Sequence, residues 1–231
     1  MYEGLMVSVS GVRGRVGEAL TPEVVARFAA GFGGWALAAG RSRAIVVGRD
    51  SRVSGPMFHR VVVAALQSVG ASVIDLGLAT TPTTQLAVEH HHAAGGIMIS
   101  ASHNPIEWNA LKMIGPSGLF LDAVEGTAMR TMMEAGVARA SWDRLGAIEA
   151  DERAISRHVD AVLALPFIDV QRIRERRFHV ALDACRGAGA AIVPQLLERL
   201  GCRTTSINME PDGRFPRPPE PVPENLGELE R

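Results

Sequence analysis

A serine, a histidine and a lysine lie close together in the middle of the chain. The run SASHNP, residues 100–105, places Ser102 directly before His103, and Lys112 follows in the run EWNALK. The apolar residues before this run have the length of a β-strand, and the Asn-Pro pair that closes it imposes an extended or turn backbone. A hydroxyl at the start of such a loop, with cations nearby, could carry a phosphoryl group, whose negative charge needs cationic neighbours. An ordinary polar turn has the same composition and is the alternative interpretation.

Two arginine-containing turns precede this loop. In SVSGVRGRVG, residues 8–17, Arg13 lies between glycines, and the flexible backbone would let its guanidinium reach phosphate or hydroxyl oxygens. In GRDSRVSG, residues 48–55, Arg49 and Asp50 follow an apolar run. We expect these two residues to pair and to fix a turn that supports the serine loop. For Arg13, a solvated surface arginine is the alternative.

The three segments, in this order, resemble those of the α-D-phosphohexomutases, a family that includes phosphoglucomutase, phosphomannomutase and phosphoglucosamine mutase. The resemblance implies that Ser102 carries a phosphoryl group, that Lys112 helps to move the proton of the substrate hydroxyl, and that Arg13 belongs to the active site. It extends over essentially the whole chain, but it corresponds only to about the first half of a typical member, which has four domains around a central cleft.

Further residues of the serine loop are assigned roles beside Ser102. We expect Ser100 and Asn104 to support the loop or bind substrate, together with the pair Arg49 and Asp50. His103 directly follows the predicted nucleophile and could donate a hydrogen bond to its phosphoryl group.

The implied reaction interconverts a sugar 1-phosphate and a sugar 6-phosphate through a phosphoserine enzyme and a bisphosphate intermediate. The implied cofactors are Mg²⁺, bound in part by the phosphoryl group on Ser102, and a sugar 1,6-bisphosphate as activator. The acidic magnesium loop of the family has the form DGDxDR, and no segment of this form occurs in the sequence. We therefore expect a truncated phosphohexomutase, with little or no activity alone, whose partners are a phosphosugar and the missing C-terminal domains. Phosphoglucosamine is slightly favoured over phosphoglucose and phosphomannose.

Composition restricts the class of protein. The 231 residues are 47% hydrophobic and 21% charged, which is typical of a globular chain of one large or two ordinary domains. Lys and Arg total 24 against 25 Asp and Glu, so a nucleic-acid or membrane surface driven by bulk charge is not expected. The two cysteines, Cys185 and Cys202, form no spaced framework, and no apolar run spans a membrane. These features predict a cytoplasmic protein.

Alternating helix and strand patterns predict an α/β fold with a mixed, mostly parallel sheet flanked by helices. We expect a first domain over residues 1–148 and a partial second α/β domain over 149–231, containing one βαβ unit and ending before the metal-binding loop. In such sheets ligands bind beyond the carboxyl ends of the strands, where residues 48–55 and 100–105 lie. Six prolines between residues 211 and 223 predict an extended segment without a periodic core face.

Two other patterns suggest different functions. Three consecutive histidines, residues 90–92, project in different directions along a helix and are a poor set of metal ligands. The turn DACRGAG, residues 183–189, followed by Glu210, has the form of a dinucleotide site, but Ile192 stands where a small residue is needed. In the phosphohexomutases this turn usually has Asn at the position of Arg186. Three hypotheses remain open: a phosphohexomutase fragment, a non-catalytic phosphosugar-binding remnant, and a dinucleotide-binding α/β enzyme.

Overall fold

A computed structural model of the protein describes residues 4–40 and 42–230, which form two α/β units. The strands, in chain order, are β1 (Met6–Ser8), β2 (Gly11–Arg15), β3 (Ala44–Arg49), β4 (Ser72–Leu78), β5 (Gly95–Ile99), β6 (Trp108–Ile114), β7 (Ile148–Ala150), β8 (His179–Asp183) and β9 (Arg203–Ile207). The α-helices are α1 (Pro22–Ala38), α2 (Gly55–Ser68), α3 (Thr81–His90), α4 (Ala123–Ala135), α5 (Ala154–Leu163), α6 (Val170–Arg176) and α7 (Gly189–Arg199). Short 3₁₀ turns lie at Trp142–Arg144 and Pro223–Asn225. No helix within the described ranges has the length and apolar character needed to cross a membrane.

The first seven strands form one sheet in the order β1-β2-β6-β5-β3-β4-β7. Strand β3 runs parallel to β4 and β5, and β4 runs parallel to β7. Strands β2 and β5 are both antiparallel to β6, so five of the seven strands share one direction and only β1 and β6 oppose it. The predicted α/β class, with a mixed and mostly parallel sheet between helices, is confirmed.

Both faces of this sheet are covered, and the strands alternate between two apolar clusters. Ile45 and Val47 of β3 face the core formed with α1, α2 and α4, whereas Val46 between them faces the cluster beneath α3. The same period of two recurs in β5, where Ile97 and Ile99 belong to the first core and Met98 between them faces α3. This alternation is the pattern of a buried strand, and it fixes the register that places the loops after β3 and β5.

The carboxyl ends of β3 and β5 meet at the same edge of the sheet. Arg49, the last residue of β3, lies opposite Ile99, the last residue of β5. The pairing continues one step further, because the backbone N–H of Asp50 donates to the carbonyl of Ile99 at 3.0 Å. The turn after β3 and the loop after β5 therefore leave the sheet side by side.

The second unit contains one βαβ crossover. Strands β8 and β9 are parallel neighbours joined by α7, as the sequence predicts. Strand β7 pairs with β4 and so belongs to the first sheet, although the predicted domain boundary between residues 148 and 149 falls within it. The division into domains stays a prediction.

The proline-rich strap, residues 211–223, packs against the first unit through single residues, and the sequence predicts an extended segment without a periodic core face. Gly213 has φ +71° and contacts the backbone of Ser51 so closely that a Cβ would overlap it. Phe215 lies 5.1 Å, ring centroid to Cζ, from the guanidinium of Arg52. Single residues rather than a periodic face make these contacts, and hydrophobic periodicity therefore gives no signal for them.

Candidate active site

Ser102 lies in the loop beyond β5, with its side chain exposed to solvent. Its φ is +57°, a left-handed conformation that costs a residue with a Cβ roughly 1–2 kcal/mol. Its N–H donates to the hydroxyl of Ser100 at 3.1 Å, and Ser100 is itself buried. A strained backbone at an exposed hydroxyl persists only where the surroundings hold it firmly.

One buried side chain holds this loop. Arg52 is fully buried, and its two terminal nitrogens donate to four backbone carbonyls. The four acceptors are the carbonyls of Ser102 at 3.0 Å, Asn104 at 2.6 Å, Pro105 at 2.7 Å and Trp108 at 2.9 Å. Sequence reasoning did not select Arg52, although it belongs to the GRDSR turn, because arginine is usually an exposed residue.

The carboxylate of Asp50 pairs with Arg52 rather than with Arg49. Asp50 Oδ1 accepts from the N–H of Arg52 at 3.0 Å, and its Oδ2 lies 3.3 Å from Arg52 Nε without the alignment of a hydrogen bond. Arg49 donates instead to the backbone carbonyl of Asp50 at 3.1 Å. Burial raises the pKa of Asp50, while hydrogen bonds from Ser100 and Arg52 act in the opposite direction.

Arg13 and Lys112 lie on neighbouring strands and share one face of the sheet. Arg13 is opposite Ala110 and Gly11 is opposite Lys112, which makes the two cations diagonal neighbours across β2 and β6. Arg13 Nη1 donates to the side-chain oxygen of Asn104 at 3.0 Å, so it reaches the serine loop directly.

Lys112 is the single lysine of the sequence, in which the other 23 of the 24 basic residues are arginines. Burial lowers the pKa of Lys112, the positive charges of Arg13 and Arg52 lower it further, and Asp50 opposes them. A lysine with a lowered pKa can exchange its proton, whereas an arginine cannot. The position is therefore suited to proton transfer.

These side chains line two neighbouring cavities. Ser102, Ser100 and Asp50 line a cleft of about 260 Å³ between the two units. Arg13 and Lys112 line a groove of about 330 Å³ beside β1. Asp50 links the two electrostatically, because it lines the first cleft and acts on Lys112. A larger groove of about 600 Å³, in the second unit, contains none of the predicted site residues.

His103 turns toward the strap instead of toward Ser102. Its Nε2 lies 3.1 Å from the carboxylate of Glu220, and both side chains are partly exposed. In this arrangement the imidazole contacts the strap. A donor role toward a phosphoryl group on Ser102 stays a prediction.

Backbone amides of the DACRGAG turn donate hydrogen bonds to other groups of the protein. The N–H of Cys185 donates to Asp183 Oδ1 at 2.8 Å, that of Arg186 to the carbonyl of Asn208 at 2.8 Å, and that of Gly187 to the carbonyl of Ala184 at 2.7 Å. Three amides that a dinucleotide site would offer to a pyrophosphate are therefore already bonded.

The described residues do not fit a magnesium ion by themselves. Within residues 4–40 and 42–230, no three His, Cys, Asp or Glu side chains are grouped so that they could hold a metal, and this includes the histidines at 90–92. Asp50 lines the cleft beside Ser102, but its carboxylate is engaged by Arg52.

Comparison with known proteins identifies similar chains. Residues 5–138 match the family model "Phosphoglucomutase/phosphomannomutase, alpha/beta/alpha domain I", and residues 156–231 match that of domain II. A "Phosphoglucomutase/phosphomannomutase" of Thermococcus kodakarensis is 39% identical over 96% of this chain and 49% of its own length. A "Probable phosphoglucosamine mutase" of Methanosarcina acetivorans is 35% identical over 96% of this chain and 48% of its own.

A solved structure described as "putative phosphomannomutase", from Thermus thermophilus, superposes with a TM-score of 0.84 at 29% identity. The match covers 99% of this chain and 51% of the solved chain. The chain thus spans about half the length of the relatives it matches.

Proposed function

Because the chain belongs to the phosphoglucomutase/phosphomannomutase family, we propose that it carries the phosphoserine half of a phosphohexomutase active site, with Ser102 as the phosphoryl carrier. The observation that carries the proposal is the exposed Ser102 hydroxyl, presented by a strained backbone on a loop that a buried arginine holds. An ordinary polar turn has no need of a positive φ at serine or of a fully buried cation beneath it.

The proposed step transfers a phosphoryl group from Ser102 to a sugar monophosphate. The bond between phosphorus and Ser102 Oγ breaks as a bond from phosphorus to a sugar hydroxyl oxygen forms. The proton of that hydroxyl passes to a neutral Lys112 and from there to Ser102 Oγ, which carries no proton while it is phosphorylated. The bisphosphate then reorients and the reverse step returns its other phosphoryl group to Ser102, which moves phosphate between the C1 and C6 oxygens.

The remaining residues bind and orient in this scheme. Arg13 would neutralise charge on the transferring group and is aligned by its hydrogen bond to Asn104. Ser100 holds the backbone of Ser102. Arg49 and Asp50 shape the turn beneath the loop. The contact between His103 Nε2 and the carboxylate of Glu220 must break before the imidazole can donate to a phosphoryl group.

The isolated 231-residue polypeptide is expected to turn over little or no sugar phosphate. Magnesium stays a prediction, because the described residues supply no ligand set for the metal. The bisphosphate activator is likewise a prediction. A second candidate, a phosphosugar-binding protein without turnover, is favoured by the contact of His103 with Glu220, which turns the imidazole away from Ser102. In both cases the partners are a phosphosugar and C-terminal domains, not nucleic acid or membrane. A cytoplasmic location stays a prediction.

Fusion to a C-terminal half separates the two candidates. This chain, joined to the second half of the Thermococcus kodakarensis relative, should interconvert the 1- and 6-phosphates of glucosamine, glucose or mannose, with glucosamine slightly favoured. The Ser102→Ala fusion is the control and should be inactive. A folded fusion that binds these sugar phosphates but converts none would favour the non-catalytic candidate.

A further inference from the structure

We propose that Arg52 is a positioning residue that sets the backbone of the Ser102 loop for phosphoryl transfer. The proposal rests on the proposed function of Ser102 and adds to it the side chain on which that loop depends. Arg52 does not line the cleft that contains Ser102, so it acts through the loop and not on substrate.

The hydrogen bonds of Arg52 span the whole loop. Nη2 donates to the carbonyls of Ser102 and Asn104, and Nη1 donates to those of Pro105 and Trp108. These carbonyls converge on one point because the loop curls around the guanidinium. A planar guanidinium presents several donors in a fixed fork, and a lysine ammonium at the end of a flexible chain cannot reproduce that geometry.

The conformation of Ser102 requires such a restraint. A residue with a Cβ at φ +57° is disfavoured, and an unrestrained loop would relax toward negative φ. The bonds to the carbonyls of Ser102 and Asn104 fix the peptide groups on the C-terminal side of that strained residue. The bond from the Ser102 N–H to Ser100 fixes the N-terminal side.

Arg52 is itself fixed from two directions. Asp50 approaches one side of the guanidinium, and the ring of Phe215 lies 5.1 Å from it on the strap. Gly213 presses against the backbone of Ser51 and Arg52 so closely that a Cβ would overlap. The strap thus connects the second unit to the serine loop through Arg52.

Hydrogen exchange on this chain tests the positioning role. The variants are Arg52→Lys, which keeps the charge, and Arg52→Met, which removes every donor. The matched control is Arg43→Met, because Arg43 likewise donates to a backbone carbonyl, that of Gly70, but at the opposite end of β3. The readout is amide exchange in peptides covering residues 100–109, compared with peptides from β3 and β5.

We expect exchange in residues 100–109 to accelerate at least about tenfold in Arg52→Met and less in Arg52→Lys, with the strands unchanged. The control should leave the loop as in the wild type. Unchanged loop exchange in Arg52→Lys and Arg52→Met, or equal acceleration throughout the sheet, would overturn the proposal. If Arg52→Met does not fold, Arg52→Lys decides by the same criterion.

A second measurement distinguishes the positioning role of Arg52 from the proposed function of Ser102, on which it rests. In the fusion described above, the rate of phosphoryl uptake by Ser102 from a hexose 1,6-bisphosphate should fall in Arg52→Lys, with little change in the half-saturating concentration. An unchanged rate would overturn the positioning role. If the wild-type fusion takes up no phosphoryl group, the proposed function fails, and the exchange result alone decides whether Arg52 sets the loop.

Discussion

Arg52 Nη2 donates a hydrogen bond of 3.0 Å to the carbonyl of Ser102, although the two residues leave the sheet from different strands. Strands β3 and β5 are parallel neighbours, so their carboxyl ends meet, and the bond joins the turn after one to the loop after the other. The exposed Ser102 hydroxyl therefore lies on a loop whose backbone is bound by the buried guanidinium of Arg52.

Replacing Ser102 by Gly should yield a more stable protein than replacing it by Ala. Both variants lose the hydroxyl, but Gly adopts φ +57° without steric cost, whereas Ala keeps the strain of a Cβ. We expect a difference of about 1 kcal/mol in the free energy of unfolding, measured by urea denaturation. Equal stability of the two variants would indicate that residue 102 does not occupy the left-handed region in solution.

Lys112 should titrate below the ordinary lysine value of 10.5. Because it is the single lysine, reductive methylation with ¹³C-formaldehyde labels only Lys112 and the N-terminus, and NMR can follow its pKa directly. Burial disfavours the charged form, and Arg13 adds like-charge repulsion. Arg13→Met should therefore raise the pKa of Lys112, and Asp50→Asn should lower it further.

The same labelled chain, unfolded in urea, provides the reference for that titration. A midpoint equal to the reference would remove the basis for proton transfer by Lys112. Lys112→Met should leave the thermal midpoint unchanged or raise it, since a partly desolvated cation is removed, while phosphoryl transfer by the fusion falls by at least about 100-fold.

Gly213→Ala should destabilise the packing of the strap. The substitution adds a Cβ at φ +71° where the backbone of Ser51 occupies the space. We expect a loss of about 2–4 kcal/mol, the sum of the backbone cost and the overlap. Gly40→Ala is the control, because Gly40 has φ +66° and open space where an added Cβ would lie. This substitution should lower the free energy of unfolding by only about 1 kcal/mol. Similar losses in both variants would mean that the strap does not press on Ser51.

Asp151 should make stability depend on pH in the acid range. Burial opposes its ionisation, but hydrogen bonds from Arg157 and His91 outweigh that effect and lower its pKa from 3.8 to about 2. Because the folded pKa is depressed, the contribution to stability is full above about pH 5 and is lost as the pH falls through 2. It amounts to about 2 kcal/mol at neutral pH.

Asp151→Asn should remove that contribution. The variant should be less stable than the wild type at pH 7, and the difference should shrink as the pH falls through 2, as measured by urea denaturation at each pH. Glu149→Gln, an exposed carboxylate on β7, is the matched control and should change stability little. A constant difference between Asp151→Asn and the wild type from pH 7 to pH 2 would contradict the role of the ionised carboxyl.

The sequence predicts the fold class and the positions of the site loops because their physical causes are local. Continuous apolar runs in β3 and β5 are typical of strands buried on both faces, and parallel strands bring GRDSR and SASHNP to one edge. Strand β6 was not predicted. It returns antiparallel after a loop too short for a helical crossover, and Asn109 and Lys112 interrupt its apolar residues, so its sequence has neither a continuous apolar run nor an alternating pattern.

The role of Arg52 and the docking of the strap depend on tertiary structure. Arg52 is buried only because the serine loop curls around it and Phe215 covers it. Neither contact has a spacing that a sequence pattern could reveal. The carboxylate of Asp50 likewise pairs with Arg52 and not with Arg49. This pairing depends on side-chain directions that the sequence Arg49-Asp50 does not specify.

The most direct test is the mass of the Ser102 peptide in the active fusion, before and after incubation with a hexose 1,6-bisphosphate and magnesium. We expect one added phosphoryl group, located on Ser102, and none in the Ser102→Ala fusion. A fusion that interconverts sugar phosphates while Ser102 never carries phosphate, or while another residue carries it, would rule out Ser102 as the phosphoryl carrier.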